Sequence, residues 1–375
     1  MSSRLIVAGA GSGKTTWLIE RAMEITSSRV LVMTFTDANE QSIRESFFEK
    51  NGCIPANVTV MTWFTFLLRH GVRPYQSVIY NGKITGIYLV NSKSGLKYRL
   101  KNGRPIYYGE DSPEFFYFNK DKKIFSDKIA KFVVKTNELT KGLVIDRISR
   151  IFPNILVDEV QDLSGYDLEI IKLFHKKKIN LIMVGDPRQV TYHTHEEMKN
   201  KKYNSGAIAL YLKDNCVGAA IDETSLNKSH RNHPLIIDFA NRVYPHFPPC
   251  NACDSFTDTG HDGIYLISSK LIDKYIEKYN PVQLRDSRKV VVSEKASVMN
   301  FGDAKGLTFN RVLIYPTKPM ISWIKNNSSN LEPRSRARFY VAITRAKYSV
   351  AFVDDSIDVS NYEYIKRWTD DDSCN

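Results

Sequence analysis

Short apolar runs alternate with amphipathic stretches along most of the chain. The runs at 5–8, 30–34, 58–61, 155–158 and 181–185 are too continuous for a half-exposed strand. Such runs predict a parallel sheet with helices on both faces. A second set at 263–268, 289–293, 296–300, 312–316 and 349–353 predicts a second sheet of the same kind. The expected fold class is therefore α/β with two domains, 1–213 and 214–375. Residues 71–147 lack this rhythm. They are rich in Tyr, Phe, Lys and Gly and carry turn signals at Asn81-Gly82, Asn102-Gly103 and Ser112-Pro113, which predicts a small insertion in the first domain.

Two of the strand ends carry chemistry. After the first run comes AGAGSGKTT, in which Ala8, Gly9, Ala10, Gly11, Ser12 and Gly13 are small enough for backbone N–H groups to approach phosphates closely. Lys14 supplies charge to the β and γ oxygens, Thr15 offers a hydroxyl to Mg²⁺, and Thr16 follows at the head of a helix. The run at 155–157 ends in Asp158 and Glu159. One carboxylate there can hold Mg²⁺ through water, and the other can accept a proton from an attacking water. Together the two segments describe a site that hydrolyses a nucleoside triphosphate.

Charge adds a partner. The formal net charge is +12 and the pI about 9.2, a balance that favours a polyanion such as nucleic acid. The basic residues are spread in short clusters at 120–123, 176–178 and 199–202, each of which reads singly as a solvated face. No apolar run is long enough to span a membrane and a strand begins close to Met1, so no membrane association and a cytoplasmic location are expected. Five cysteines argue against a disulfide framework. His246, Cys250, Cys253 and His261 have spacings compatible with zinc, but with no second CxxC the expectation is free thiols in a surface loop after Pro248-Pro249.

The order of motifs resembles the UvrD/Rep group of superfamily 1 helicases. It runs AGAGSGKT, MTFT at 33–36, DEVQD at 158–162, VGDPRQ at 184–189, LNKSHRN at 226–232, AKGLTF at 304–309 and YVAITRAK at 340–347. The resemblance implies two RecA-like domains around ATP and Mg²⁺, with Lys14 and Glu159 catalytic and Asp158 and Thr15 at the metal. It also implies that Gln189 senses the γ-phosphate and that Arg231 and Arg345 neutralise its charge, a task suited to planar, permanently charged guanidinium groups. For single-stranded DNA, with RNA left open, it implies contacts from Phe35, Thr36, Thr62, Trp63 and Tyr192, aromatics that stack on bases beside hydroxyls that reach phosphates. Trp63 reads equally well as a core residue.

The chain also departs from the family pattern. It begins too late to hold the glutamine motif that reads adenine, and Thr16 stands where an arginine is usual. His230 is then the remaining residue to stack on the base, and GTP joins ATP as an expected substrate. After Gln189, Thr194 and His195 occupy the place of an aromatic-Arg pair, and Asn300, Gly302, Ala304 and Thr308 replace polar groups of motif V. The stretch from Arg231 to Asn300 leaves little room for the family's helical subdomain. Two readings follow: a compact helicase or translocase moving 3′ to 5′, and an NTP-dependent regulatory subunit paired with a nuclease, as in Gabija-type antiviral defence.

Overall fold

The computed structural model describes residues 3–191, 199–204, 206–253, 256–358 and 362–370. The chain forms two compact units, one comprising Met1–Ile6, Lys14–Gly185 and His193–Asp222, the other Val7–Gly13, Asp186–Tyr192 and Glu223–Asn375. Both are built on a six-stranded sheet. They are RecA-like α/β domains.

In the first sheet, β1 (Arg4–Ala8), β2 (Val30–Thr34) and β3 (Val58–Thr62) come first in the chain. The insertion then contributes β4 (Gly86–Tyr88), β5 (Leu96–Arg99), β6 (Pro105–Tyr107) and β7 (Lys123–Phe125) in two separate small sheets. β8 (Asn154–Val157), β9 (Asn180–Gly185) and β10 (Ala220–Leu226) complete the main sheet, whose order is β10-β1-β9-β8-β2-β3. β3, β2, β8 and β9 pair in parallel, so their C-terminal ends share one edge. Ligands of open α/β sheets bind at that edge, and it is where Phe35, Trp63 and Asp158 follow their strands. β2 is buried along its whole length. β10 is different: its AIDETSL pattern is largely exposed, as an edge strand allows, and carries no apolar run that would announce it.

In the second unit β11 (Lys228–Ser229) pairs in parallel with β12 (Asn251–Ala252). The main sheet comprises β13 (Gly263–Ile267), β14 (Val282–Arg285), β15 (Val298–Asn300), β16 (Phe309–Ile314), β17 (Ala346–Val353) and β18 (Lys366–Arg367), in the order β15-β14-β16-β17-β13-β18. The apolar run 289–293, expected as a strand, is a loop, and β14 takes its place in the sheet. Val290 and Val292 pack on a small cluster around Tyr275 and Trp368, while Val291 is exposed. The side-chain amide of Gln283 donates to the carbonyls of Ser293 (2.7 Å) and Ala296 (2.9 Å), supplying partners that a ladder would otherwise give. Ala304 of motif V is wholly buried in the main core of this unit, where a polar side chain would be unfavourable.

Candidate nucleotide site

In the first unit the site begins with the helix Lys14–Glu24, which starts inside the glycine-rich segment. The Thr15 hydroxyl donates to Asp158 Oδ2 at 3.0 Å. Asp158 Oδ1 accepts from the backbone N–H of Glu159 at 2.9 Å. Burial above all, and then the neighbouring Glu159 carboxylate, pushes the Asp158 carboxyl up to about 6, against the opposing pull of Lys14 and the Thr15 hydroxyl. Glu159 itself sits at φ 53°, in the left-handed region that a side-chain-bearing residue occupies at a cost on the order of 1–3 kcal/mol. Its Oε2 accepts from the buried Gln161 amide. Two carboxylates and a hydroxyl are the hard oxygen donors that Mg²⁺ takes, and a buried carboxylate whose charge is disfavoured by its neighbour gains from a divalent cation. The donor set therefore suits that ion.

The second unit holds the preceding segment, Val7–Gly13. Gly11 lies at φ 69°, and a Cβ there would come within 2.6 Å of both Arg231 Cβ and Ser229 Oγ. Only glycine meets both demands. The Gly11 carbonyl accepts from the His230 N–H at 2.9 Å, while the His230 side chain is exposed. Behind the segment lies Arg188, 4% exposed. Its guanidinium donates to the Ala8 carbonyl (3.0 Å), the Pro248 carbonyl (3.3 Å) and Asp186 Oδ1 (2.8 Å). The Asp186 carboxylate keeps that guanidinium charged despite its burial. Asp186 Oδ2 accepts from Gln189, whose Oε1 accepts in turn from Arg345 Nη2 at 3.2 Å. Arg345 is buried and also donates to the carbonyls of Val341 and Leu307 (both 3.1 Å). Half-buried Arg231 reaches the Thr344 carbonyl at 3.4 Å, and the buried Ser229–Asn232 pair fixes its turn.

A motif set of this order with this local geometry can be compared with known families. The profile of the viral superfamily 1 RNA helicase core domain matches residues 126–354, and that of an AAA domain family matches residues 2–195. Each spans more than half of the chain. This chain is a superfamily 1 helicase. A probable DNA helicase of Mycoplasma pneumoniae is 20% identical to it over 447 aligned positions, covering 96% of this chain and 82% of the relative. A crystal structure of the arterivirus nonstructural protein 10 helicase and a structure of its complex with DNA are similar at TM-score 0.47 with 15% and 14% identity. The alignments cover 96% of this helicase, which spans only 61% and 62% of the length of those chains.

The residues expected to bind a strand occupy different settings in the structure. Trp63 is a correction. It is 1% exposed, packs beside Phe66 and donates from Nε1 to Asp167 at 2.8 Å, so no base can stack on it. Thr36 Oγ1 caps the helix Asp37–Asn51 by accepting from Asn39 N, and buried Thr62 accepts from Thr65 N. Phe35 is half-buried, 5.3 Å between centroids from the equally half-buried Phe64. Tyr192, Thr194 and His195 lie outside the described residues, and Thr16 is exposed. The surface-loop placement expected for Cys250 is also corrected. Cys250 is buried, and a Cβ on Gly9 would meet its sulfur at 2.4 Å. His261 lies between the rings of Tyr265 and Tyr279, at 3.9 and 3.7 Å, and burial, followed by Arg311, pushes its imidazole down to about 3. Among the described residues no helix is long and apolar enough to cross a membrane, and no three His, Cys, Asp or Glu gather to hold a metal ion.

Motif spelling does not announce Arg188, Ser229 or Asn232. Arg188 stands one place before the glutamine of VGDPRQ, and Ser229 and Asn232 flank the motif IV arginine. All three stand among polar neighbours inside the segments DPRQ and KSHRN, and the sequence does not show which carbonyl or carboxylate each one reaches.

Proposed function

We propose that this helicase is a UvrD/Rep-like motor that hydrolyses ATP, and GTP in its place, while moving 3′ to 5′ along single-stranded DNA. The observation that supports this reading best is the corner formed by Thr15, Asp158 and Glu159. Lys14 holds the β and γ oxygens, and backbone N–H groups of the glycine-rich segment hold the phosphates. Thr15 and Asp158 would hold Mg²⁺, which would supply charge neutralisation on the phosphate oxygens. Glu159 accepts the proton of the attacking water, its carboxylate oriented by the Gln161 amide and by its left-handed backbone. Gln189 senses the γ-phosphate, and Arg231 and Arg345 neutralise its developing charge. Arg345 can report the nucleotide state through its bond to Gln189.

Replacing Glu159 with Gln removes the proton acceptor and keeps the shape. ATP binding is expected to stay within about threefold of wild type, while turnover falls by roughly a thousandfold or more, since both proton acceptance and water orientation are lost. Turnover within tenfold of wild type would show that another group is the base.

A further inference from the structure

The insertion in the first unit carries a hairpin that the nucleotide site does not use. β5 and β6 pair antiparallel around the turn Leu100–Arg104, closed by Gly103 N to the Leu100 carbonyl (2.8 Å) and Leu100 N to the Arg104 carbonyl (2.9 Å). A buried anchor fixes its base: Ser94 donates from its N–H (3.0 Å) and its hydroxyl (2.5 Å) to Asp127. Every residue from 96 to 104 is exposed. Such a run in a compact protein is normally polar, but here Tyr98 is 50% exposed, and Leu96 and Leu100 stand beside it.

Charge decides what such a surface suits. From residue 89 to 109 there are five cations, Lys93, Lys97, Arg99, Lys101 and Arg104, and no acid. Among the described residues no carboxylate pairs with any of the five. Two of them lie over rings instead, Lys93 Nζ at 4.3 Å from the Tyr107 centroid and Lys97 Nζ at 5.6 Å from that of Tyr108. Uncompensated cations interleaved with exposed aromatic rings are the combination that holds single strands, with phosphates on the cations and bases on the rings. An acidic protein surface would satisfy the cations but would leave Tyr98 without a planar partner.

We propose that the hairpin Leu96–Tyr107 is an accessory single-strand-binding arm, with Lys97, Arg99, Lys101 and Arg104 on phosphates and Tyr98 stacking on a base. The inference rests on the strand-binding motor proposed above. Its test uses the full chain and a fluorescent oligodeoxythymidine titrated at several salt concentrations. The combined variant Lys97→Gln, Arg99→Gln, Lys101→Gln and Arg104→Gln is expected to weaken binding at least about tenfold at low salt. The slope of log affinity against log salt should fall by about 0.7 for each phosphate that the variant no longer neutralises. Tyr98→Ala is expected to weaken binding roughly fivefold or more with the slope unchanged. Both variants should keep the wild-type melting temperature and the ATP turnover measured without DNA, because neither touches the nucleotide site. If both bind the strand like wild type, with the same salt slope, the arm is refuted while the motor stands, and the surface belongs to another partner such as an acidic protein. If wild type itself binds no strand at low salt, the arm and the strand-binding motor fail together.

Discussion

Two corners of the first unit have similar letters and different uses. Past the ends of β1 and β8, the Thr15 hydroxyl donates to the buried Asp158 carboxylate and the neighbouring Glu159 holds a left-handed backbone, at the cost of burial and backbone strain. At the ends of β2 and β3, the hydroxyls of Thr36 and Thr62 cap helices, and the ring of Trp63 is sealed in the core. Polar groups held in unfavourable settings mark the first corner as a place where chemistry is prepared. At the second corner the same residue types are satisfied by their own fold. That difference moves the expected strand contacts away from Trp63, toward the half-buried Phe35 and Phe64 and the exposed hairpin.

The largest effect that would sharpen this contrast lies at Arg188, which holds the phosphate-binding segment through the Ala8 carbonyl. Arg188→Met leaves the buried Asp186 carboxylate without its ion pair and should cost about 3–5 kcal/mol in denaturant unfolding of the second unit. Arg188→Lys keeps a charge but loses the fork that serves Asp186, Ala8 and Pro248 together. It should weaken nucleotide binding about tenfold, read by titration with a fluorescent ATP analogue. A Lys variant that binds nucleotide like wild type would show that the segment holds its shape without the guanidinium.

A smaller effect is expected at Trp63. Trp63→Phe keeps an apolar ring and leaves the buried Asp167 without the indole donor, which should cost about 1–3 kcal/mol of stability. Affinity for single strands should stay within about twofold of wild type. A large loss of strand affinity with unchanged stability would return Trp63 to the binding face and erase the contrast between the two corners.

Legibility in the sequence follows the same division. The fully buried VLVMT of β2 reads as a central strand because nothing else buries such a run. The meeting of Thr15 and Asp158 is legible because a glycine-rich segment before a helix and an acidic strand end each need fixed local spacing. Trp63 is not, since an aromatic after a strand spells the same way whether it faces solvent or core. The run 289–293 misleads for a related reason: alternate valines can pack on a side cluster while a glutamine side chain serves the loop's carbonyls. Cys250 reads as a loop thiol because the sequence does not show that Gly9 lies against it. Arg188 depends on a carbonyl about 180 positions away, a pairing no local pattern encodes.

The central claim is that the nucleotide site drives a motor on a single strand. ATP turnover by the full chain, measured at low salt with and without oligodeoxythymidine, tests it most directly. The account predicts measurable hydrolysis alone and stimulation of about tenfold or more on adding the strand, lost as salt rises and phosphate binding weakens. Hydrolysis that proceeds at the same rate with and without the strand, under conditions where the strand is bound, would contradict it.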